Sequence, residues 1–279
     1  MGRKSIKIKK YAGEEVDFSI DKLRVSLLCS GASEEDVSHI IQIVCDELYE
    51  GISTKEIFNR AFTLLKKKKS VFASKYKLKK AIYELGPTGF PFERFIGQVL
   101  KHSGYDTEVG VLVDGKCVQH EVDVVASKEN RTLYVECKFH GEEGRNCNVK
   151  VPLYIHARYN DIVAATKTKT SKSTEGWVIT NTRFTKDAID YATCAGLALL
   201  SWDYPKGKGL KEQIEALGLY PITVSTLLTK REKNFLLSRD IVLCKQLLGD
   251  SFYLDHLGIS ETRKSKILKD IQFLCNVGE

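Results

Sequence analysis

Four charged side chains interrupt two short apolar segments in the stretch HEVDVVASKENRTLYVECKFH, and their types suit hydrolytic chemistry. Successive residues of a β-strand point to opposite faces, so Glu121 and Asp123 share one face of the first segment. Glu136 and Lys138 share a face of the second segment for the same reason. A polar turn joins the two segments. We therefore expect the four charges to converge across a hairpin whose other face is apolar.

Three carboxylates that converge in this way repel one another, and the repulsion raises their pKa values. A hard divalent cation relieves the repulsion, because Mg²⁺ prefers carboxylate oxygens and keeps water molecules for substrate or nucleophile. A lysine two residues beyond a metal-binding glutamate can orient an attacking water or neutralise charge on a phosphate. This chemistry is metal-assisted phosphodiester hydrolysis. The alternative is an exposed hairpin with its charges facing water, which is common in antiparallel strands.

Two Cys-x-x-His pairs offer a second candidate metal site, because Cys117 with His120 and Cys137 with His140 have zinc-ligand spacing. On an extended strand Cys137 and His140 point to opposite faces, which disfavours a shared ion. The eight cysteines include no Cys-x-x-Cys pair. We therefore expect buried, reduced thiols, with zinc as the less favoured alternative.

Length and composition fit a soluble protein of about two domains with a small third. The chain has 279 residues, of which 43% are hydrophobic and 28% charged. No apolar run approaches the roughly 18 residues of a membrane span, and the basic N-terminus lacks a signal peptide's apolar stretch, so we expect a cytoplasmic protein.

The net charge is +7, and eight lysines without an acid lie between Lys66 and Lys80. Such a run fits a solvated helix face or, alternatively, a surface that faces nucleic acid.

Hydrophobic patterns divide the chain into three predicted domains. Residues 1–86 predict a mainly helical domain that opens with a hairpin around Gly13. Gly86 and Pro87 break the pattern. Residues 87–216 then alternate helix, meandering strands, helix, strand, helix and strand, which predicts an α/β sandwich with a mixed sheet. Residues 217–279 predict a small region of short helices.

The central domain resembles a known nuclease superfamily. Asp123, a gap of 12 residues and then Glu136-x-Lys138 resemble the D…(D/E)-x-K signature of PD-(D/E)XK nucleases. GFPFERFIGQVLKHSGY, residues 89–105, is similar to the helix and Gly-Tyr turn that open the catalytic domain of Mrr-type restriction endonucleases. The resemblance covers roughly residues 88–205, including the later segments WVITNTRFTKDAIDYA and GLALLSWDY.

This resemblance implies a restriction-endonuclease-like fold and a DNA endonuclease that depends on Mg²⁺ or Mn²⁺. It implies that Asp123 and Glu136 chelate the metal, that Lys138 positions or polarises the attacking water, and that a further metal contact comes from Glu93 on the opening helix. Glu121 remains open, either as an extra ligand or as an acid beside the site.

The N-terminal segment IKIKKYAGEEVDFSIDKLRVSLLCSGAS resembles the ATP-cone, the regulatory nucleotide-binding domain of ribonucleotide reductases. The family's hairpin matches Ile8–Gly13, with Tyr11 in place of the usual arginine, and Phe18 follows. The resemblance spans about residues 5–85 and implies that ATP or dATP regulates the protein. The nucleotide contacts that it implies are Lys9, Lys10, Gly13 and Lys22. The alternative is a domain that serves only in docking or dimerisation.

The C-terminal segment YLDHLGISETRKSKILKDIQFL resembles half of a helix-hairpin-helix DNA-binding element. In such hairpins a Gly-hydrophobic-Gly turn lets backbone N–H groups approach a phosphate. Gly258 and Ile259 fit this pattern, and Ser260 replaces the second glycine. Ser260, with Arg263 and Lys264, would contact phosphate, or Ser260 would simply cap the following helix.

Together these features predict a cytoplasmic, Mg²⁺-dependent DNA endonuclease of restriction or repair, gated by adenine nucleotide. The expected partners are DNA, ATP or dATP, and a second copy of the chain in a dimer. One alternative is a non-catalytic regulator that senses nucleotide and binds DNA, and a weaker one is an RNA-directed nuclease. The combination of Asp123, Glu136 and Lys138 favours the enzyme, because a domain that only binds DNA has no need of the full set.

Overall fold

The computed structural model describes residues 6–10, 13–166 and 173–276. The N-terminal region combines a small three-stranded sheet with helices. In this sheet β1 lies between β2, to which it is antiparallel, and β3, to which it is parallel. The elements are β1 (Lys7–Lys9), β2 (Glu15–Asp17), α1 (Ile20–Leu28), α2 (Glu34–Asp46), β3 (Ile52–Ser53), α3 (Thr54–Lys68), α4 (Ser70–Tyr76) and α5 (Leu78–Tyr83).

Local sequence signals account for these helices. The hydroxyl oxygens of Ser19, Ser33 and Ser53 accept hydrogen bonds from backbone N–H groups three residues later, and these bonds cap α1, α2 and α3. The apolar residues of α2 recur at helical spacing, and Ile40 and Val44 are fully buried. This stripe packs with residues of α1 and α3 in one buried core.

The central region is built on a five-stranded mixed sheet with the order β10-β8-β6-β5-β4. Strands β4, β5 and β6 form an antiparallel meander, and β8 and β10 extend it in parallel, so the predicted mixed sheet is confirmed. The elements are α6 (Phe90–His102), β4 (Asp106–Asp114), β5 (Gln119–Lys128), β6 (Arg131–Lys138), β7 (Asn146–Cys147), α7 (Lys150–Thr166), β8 (Ser173–Thr180), β9 (Arg183–Phe184), α8 (Lys186–Ala195) and β10 (Ala198–Leu200). The short strands β7 and β9 pair with each other in parallel and form a separate two-stranded sheet.

Helices cover both faces of the five-stranded sheet. Phe92 and Phe95 of α6 lie in one buried core with Ile179 of β8. The neighbouring residue on β8, Val178, points the other way, into a second core with Ile155 of α7 and residues of α8. The sheet is therefore the middle layer of an α/β sandwich, with α6 on one side and α7 and α8 on the other.

The C-terminal helices extend the core on the α6 side. They are α9 (Leu210–Leu217), α10 (Lys230–Ser238), α11 (Gln246–Gly249), α12 (Phe252–His256) and α13 (Glu261–Cys275), with a 3₁₀ turn at Ile222–Val224. Their buried residues share one cluster with α6 and also with Val71 and Ile82 of α4 and α5. The hydroxyl of Thr223 donates a 2.6 Å hydrogen bond to the carbonyl of Ala81. The buried core thus continues across Gly86, where the sequence pattern breaks.

None of the helices in the described ranges combines the length and the apolar content that a membrane span needs.

Candidate active site

Asp123 and Glu136 lie at the point where the β5–β6 hairpin opens. The antiparallel pairing begins with Lys128 opposite Arg131 and ends with Val124 opposite Val135. The next pair in this register would be Asp123 opposite Glu136. Instead, the Oδ2 atom of Asp123 accepts a 2.7 Å hydrogen bond from the backbone N–H of Cys137. A side chain thus takes over a bond that a strand carbonyl would otherwise make. The two carboxylates are brought together where the strands part.

The pairing of β5 with β4 is also altered at Asp123. Val109 pairs with Val124, and Val111 pairs with Val122. Between them Gly110 lies opposite Asp123, but these two residues do not form a ladder pair. Gly110 has a φ of +69°, a conformation that favours glycine because a Cβ atom would be strained there. The regular ladder is therefore interrupted on both sides of the same carboxylate.

Helix α6 brings a third acid to the hairpin. Glu93 is in the first turn of α6, which packs over β5 and β6. Burial and the negative charges of Asp123 and Glu121 raise the pKa of Glu93 to about 7, and only Arg94 opposes them. Glu93 therefore lies within electrostatic range of Asp123 and Glu121. Glu121 itself is exposed.

Burial is the main reason why the hairpin carboxylates resist ionisation. It raises the pKa of Asp123, although the bond from the Cys137 N–H and the charges of Arg158 and Lys138 act in the opposite direction. Burial and the charge of Asp123 raise the pKa of Glu136 to about 7, again against Arg158 and Lys138. Two partly buried carboxylates beside each other are therefore held in an electrostatically unfavourable arrangement.

Arg158 of α7, which the motifs did not single out, is a direct partner of this site. Its guanidinium donates a 2.8 Å hydrogen bond to Oε2 of Glu136 and a further hydrogen bond to the backbone carbonyl of Glu121. The Arg158 and Glu136 side chains are only 16% and 21% exposed. A sequence signal did exist. Arg158 lies three residues after Ile155 and four before Ile162, so a charge interrupts the buried stripe of the helix.

Lys138 ends β6 and is exposed, and buried polar residues hold the backbone around it. The hydroxyl of Thr180 donates a 2.7 Å hydrogen bond to the carbonyl of Lys138. Asn181 accepts a bond from the N–H of His140 and donates one to its carbonyl, both at 2.8 Å. Thr180 and Asn181 are fully buried. The chain that carries Lys138 is thereby fixed, while its ammonium group faces solvent.

The Cys117–His120 pair bonds to an acid on α7. Nε2 of His120 lies 2.8 Å from Oδ2 of Asp161 on α7, and Oδ1 of Asp161 accepts a 2.9 Å bond from the backbone N–H of Cys117. These bonds attach the β4–β5 turn to α7. Hydrogen bonding to His120 lowers the pKa of Asp161 to about 2.

The donor set at the hairpin fits a hard divalent cation. In the part of the chain that the structure covers, no group of three or more His, Cys, Asp or Glu side chains is arranged to hold a metal ion. Mg²⁺, however, is usually bound through one or two carboxylates plus water and substrate phosphates. Asp123 and Glu136 are such a pair, and a cation would offset their mutual repulsion. Glu93 adds an acid nearby, while Arg158 engages one oxygen of Glu136.

The nucleotide contacts that the ATP-cone resemblance implies lie partly in the β1–β2 hairpin and partly on α1. Lys9 ends β1, Gly13 has a φ of +85°, and Nζ of Lys10 lies 2.9 Å from Oε2 of Glu14. Lys22 instead lies in the first turn of α1, where it lines a cavity with Trp202 of the central region. Tyr11 and Ala12, which belong to the same motif, lie outside the described residues.

The C-terminal basic residues form ion pairs within the molecule. Nη1 of Arg263 lies 2.6 Å from Oε1 of Glu232, and Nζ of Lys264 lies 2.5 Å from Oδ1 of Asp255. Ser260 precedes the first residue of α13, and its side chain makes no capping hydrogen bond.

Comparisons with known proteins agree with this architecture. Residues 87–203 match a restriction endonuclease family model, Mrr_cat, and residues 220–275 match the model described as AF1548-like, C-terminal. An uncharacterized protein of Archaeoglobus fulgidus is 30% identical over 176 residues, which cover 63% of this chain and 97% of that protein.

Two solved structures are also similar. The crystal structure of AF1548, a protein of unknown function, superposes with a TM-score of 0.55 at 28% identity, covering 67% of this chain and 98% of AF1548. The MspJI restriction endonuclease in complex with a 27-mer oligonucleotide gives a TM-score of 0.33 at 11% identity, covering 75% of this chain and 44% of MspJI. Since 97% of the A. fulgidus relative aligns at 30% identity, the chain belongs to that protein's family, with a restriction endonuclease domain at 87–203 and an AF1548-like C-terminal domain at 220–275.

Proposed function

We propose that this protein is a Mg²⁺-dependent DNA endonuclease that hydrolyses phosphodiester bonds at the hairpin site, defined as Asp123, Glu136, Lys138 and Glu93. One observation carries the proposal. Asp123 and Glu136 meet where the β5–β6 ladder opens, with Lys138 two residues further along β6, inside a domain that matches restriction endonucleases. Restriction or DNA repair is the biological setting in which such an activity would act.

Asp123 and Glu136 would hold the cation, with Glu93 as a further acid. A bound Mg²⁺ would supply a Lewis acid for the scissile phosphate and would lower the pKa of a water molecule. The bond from the Cys137 N–H restrains Asp123, so one carboxylate is oriented before any ligand arrives. Arg158 restrains Glu136 in the same way through one of its two oxygens.

Lys138 would act on the attacking water and on the phosphate. Its ammonium group is exposed, and the hydroxyl of Thr180 holds the carbonyl of the same residue. A cation on a fixed backbone can orient a nucleophile and offset the negative charge that develops on phosphate oxygens. The role requires a charge at this position, so an uncharged side chain of similar length would lose it.

The decisive experiment compares DNA cleavage by the purified full-length chain and by single variants. Supercoiled plasmid, linear duplex, single-stranded DNA and RNA are incubated with Mg²⁺, with Mn²⁺ or with EDTA. The variants are Asp123→Asn and Lys138→Met, and Glu129→Gln in the β5–β6 turn removes a matched charge away from the site. Cleavage that needs the cation and Asp123 but not Glu129 supports the proposal. Equal behaviour of all proteins on all substrates removes it.

A non-catalytic DNA-binding regulator is the second candidate, and the Arg158–Glu136 ion pair favours it. That pair engages a carboxylate oxygen that a cation would use, at 2.8 Å and with little exposure. A regulator would bind duplex DNA equally well with and without Mg²⁺ and would leave it intact. The cleavage assay, read beside a gel-shift titration, separates the two candidates.

We also propose that residues 1–86 form an ATP-cone-like domain that binds ATP or dATP, followed by a nuclease domain at 87–216 and a helical region at 217–279. Lys9 and Lys10 are exposed on the hairpin that would meet the phosphates, and Lys22 is exposed on α1. Calorimetry with ATP and dATP tests this, with Lys10→Ala and Lys22→Ala as variants. If the unmodified chain gives no more binding heat than the two variants, the proposal that the domain binds a nucleotide is wrong.

A homodimer would present two hairpin sites, one for each strand of a duplex. Sedimentation of the full-length chain, alone and with ATP, tests whether two copies associate.

A further inference from the structure

A cavity lined by lysines lies apart from the four residues of the hairpin site. It occupies about 830 Å³ between α5, the segment that leads into α6, and α10. We call it the lysine cavity. Its charged lining residues are Lys77, Glu84, Arg94, Lys230 and Lys233, and Asn234 and Ser238 add polar groups. A volume of this size suits a small ligand better than a single ion.

Two of the lysines are held in an unfavourable arrangement. The side chain of Lys77 is only 9% exposed, and its Nζ lies 2.9 Å from Oε2 of Glu84. Nζ of Lys233 donates a 2.9 Å hydrogen bond to the carbonyl of Thr223. Burial and the neighbouring charge of Lys77 lower the pKa of Lys233 to about 8. Two adjacent ammonium groups therefore depend on a single carboxylate, and a further anion would relieve their repulsion.

The other charged residues that line the cavity, Lys230 and Arg94, are also basic. Lys230 is exposed at its edge, and Arg94 pairs with Asp240, a residue that does not line the cavity. The lining itself thus carries four basic residues against one acid, Glu84. Each lysine also offers three hydrogen-bond donors and no acceptor. The chemistry that matches this lining is an oxyanion with more than one negative charge.

We propose that the lysine cavity is a phosphate-binding site in which Lys77, Lys230 and Lys233 contact the phosphate groups. The phosphate would come from a small phosphorylated ligand such as a nucleotide or from the backbone of bound DNA. The size of the cavity leaves room for more than one phosphate group. Thr223, Asn234 and Ser238 line the same space and would accept or donate further hydrogen bonds.

The lysine cavity adjoins the helix that carries Glu93. Phe90 and Arg94, one turn apart at the start of α6, line it, and so does Gly86. A Cβ atom at Gly86 would lie 2.7 Å from the ring of Phe139, the residue that follows Lys138. A ligand in the cavity would therefore contact Arg94, the residue after Glu93, and Gly86, which in turn packs against the residue after Lys138. The effect of the ligand on cleavage rests on the proposed function, whereas phosphate binding itself does not.

The test measures phosphate binding by the metal-free, full-length chain. Calorimetry is carried out with pyrophosphate and with deoxyadenosine monophosphate, and fluorescence anisotropy with a 20-base-pair duplex. Lys233→Gln removes the charge but keeps a donor for the carbonyl of Thr223. Lys186→Gln, on the exposed surface of α8, is the matched control. We expect Lys233→Gln to weaken binding about tenfold, the usual effect of losing one charge-assisted hydrogen bond, and the control to change it little.

Each outcome decides the proposal. Loss of pyrophosphate or nucleotide binding in Lys233→Gln alone supports a small phosphorylated ligand. Loss of duplex affinity in Lys233→Gln alone, without small-ligand binding, supports contact with the DNA backbone. No binding of any probe, or equal losses in the two variants, overturns the proposal. Because metal is absent, an inactive nuclease with an intact phosphate site would still be recognised.

Discussion

The Oδ2 atom of Asp123 accepts a 2.7 Å hydrogen bond from the backbone N–H of Cys137, the residue between Glu136 and Lys138. The bond replaces a ladder contact between β5 and β6 and opens the hairpin at its carboxylates. A side chain in this position has both a structural and a chemical role. The two roles can be separated by changing the charge of Asp123 without removing its acceptor.

Asp123→Asn keeps an acceptor for the Cys137 N–H but removes the negative charge that would hold a cation. We expect cleavage to fall by about 100-fold or more, as when a single electrostatic contact in an active site is lost. The fold should remain, as judged by circular dichroism and the thermal unfolding midpoint. Plasmid nicking rates in Mg²⁺ measure the first effect. An Asp123→Asn variant that cuts at the rate of the unmodified protein would exclude Asp123 as a metal ligand.

Arg158→Met should destabilise the protein, because it leaves a mostly buried Glu136 carboxylate without its ionic partner. Removing one member of a buried ion pair costs about 3 kcal/mol, and a value nearer 1 kcal/mol is expected here since both side chains keep some exposure. Urea denaturation at pH 8 measures the free energy of unfolding.

A double-mutant cycle with Glu136→Gln provides the control for Arg158. If the ion pair is the cause, the double variant loses less stability than the sum of the two single variants. Additive losses would mean that Arg158 acts through its other contact, the carbonyl of Glu121.

Raising the pH should destabilise the metal-free protein across the titration of Glu136. The pKa of Glu136 is about 7 in the folded protein against 4.5 for an unperturbed glutamate, so the folded state binds the extra proton. Stability due to this proton is present at low pH and is lost as the pH rises from about 4.5 through 7. Glu93 shifts in the same direction. Urea midpoints in EDTA at pH 5 and pH 8 should differ less for Glu136→Gln than for the unmodified chain, and identical differences would argue against this assignment.

Mg²⁺ should stabilise the protein mainly above pH 7, because the pKa of Glu136 is about 7 and its carboxyl is ionised above that pH. A ligand that binds only the folded state raises the unfolding midpoint, and the stabilisation grows with the logarithm of 1 + c/Kd, where c is the ligand concentration. Thermal scans with and without MgCl₂ should show a rise at pH 8 and little at pH 5.5. Asp123→Asn should abolish the rise. A rise of equal size in that variant would place the cation elsewhere.

Several elements could be predicted from the sequence because local patterns specify them. The two-residue alternation of HEVDVVASKENRTLYVECKFH indicated β5 and β6, and the hydrophobic pattern of residues 1–86 indicated a mainly helical region that opens with a hairpin. The placement of Asp123 and Glu136 on facing strands follows from the two-residue period of a strand and a short turn. Side-chain direction in strands and helices depends mainly on the backbone, which nearby residues determine.

Other features depend on residues that are far apart along the chain and meet only through packing. Arg158 of α7 reaches Glu136 from 22 positions later in the chain, and no short motif links them. Lys77 and Lys233 share Glu84 although 156 positions separate the two lysines. The core that continues across Gly86 has the same origin, because burial of apolar surface is non-directional and does not stop at a break in local pattern. Periodicity thus identified the carboxylates of the hairpin, and tertiary packing selected their cationic partner and built the lysine cavity between α5, the start of α6 and α10.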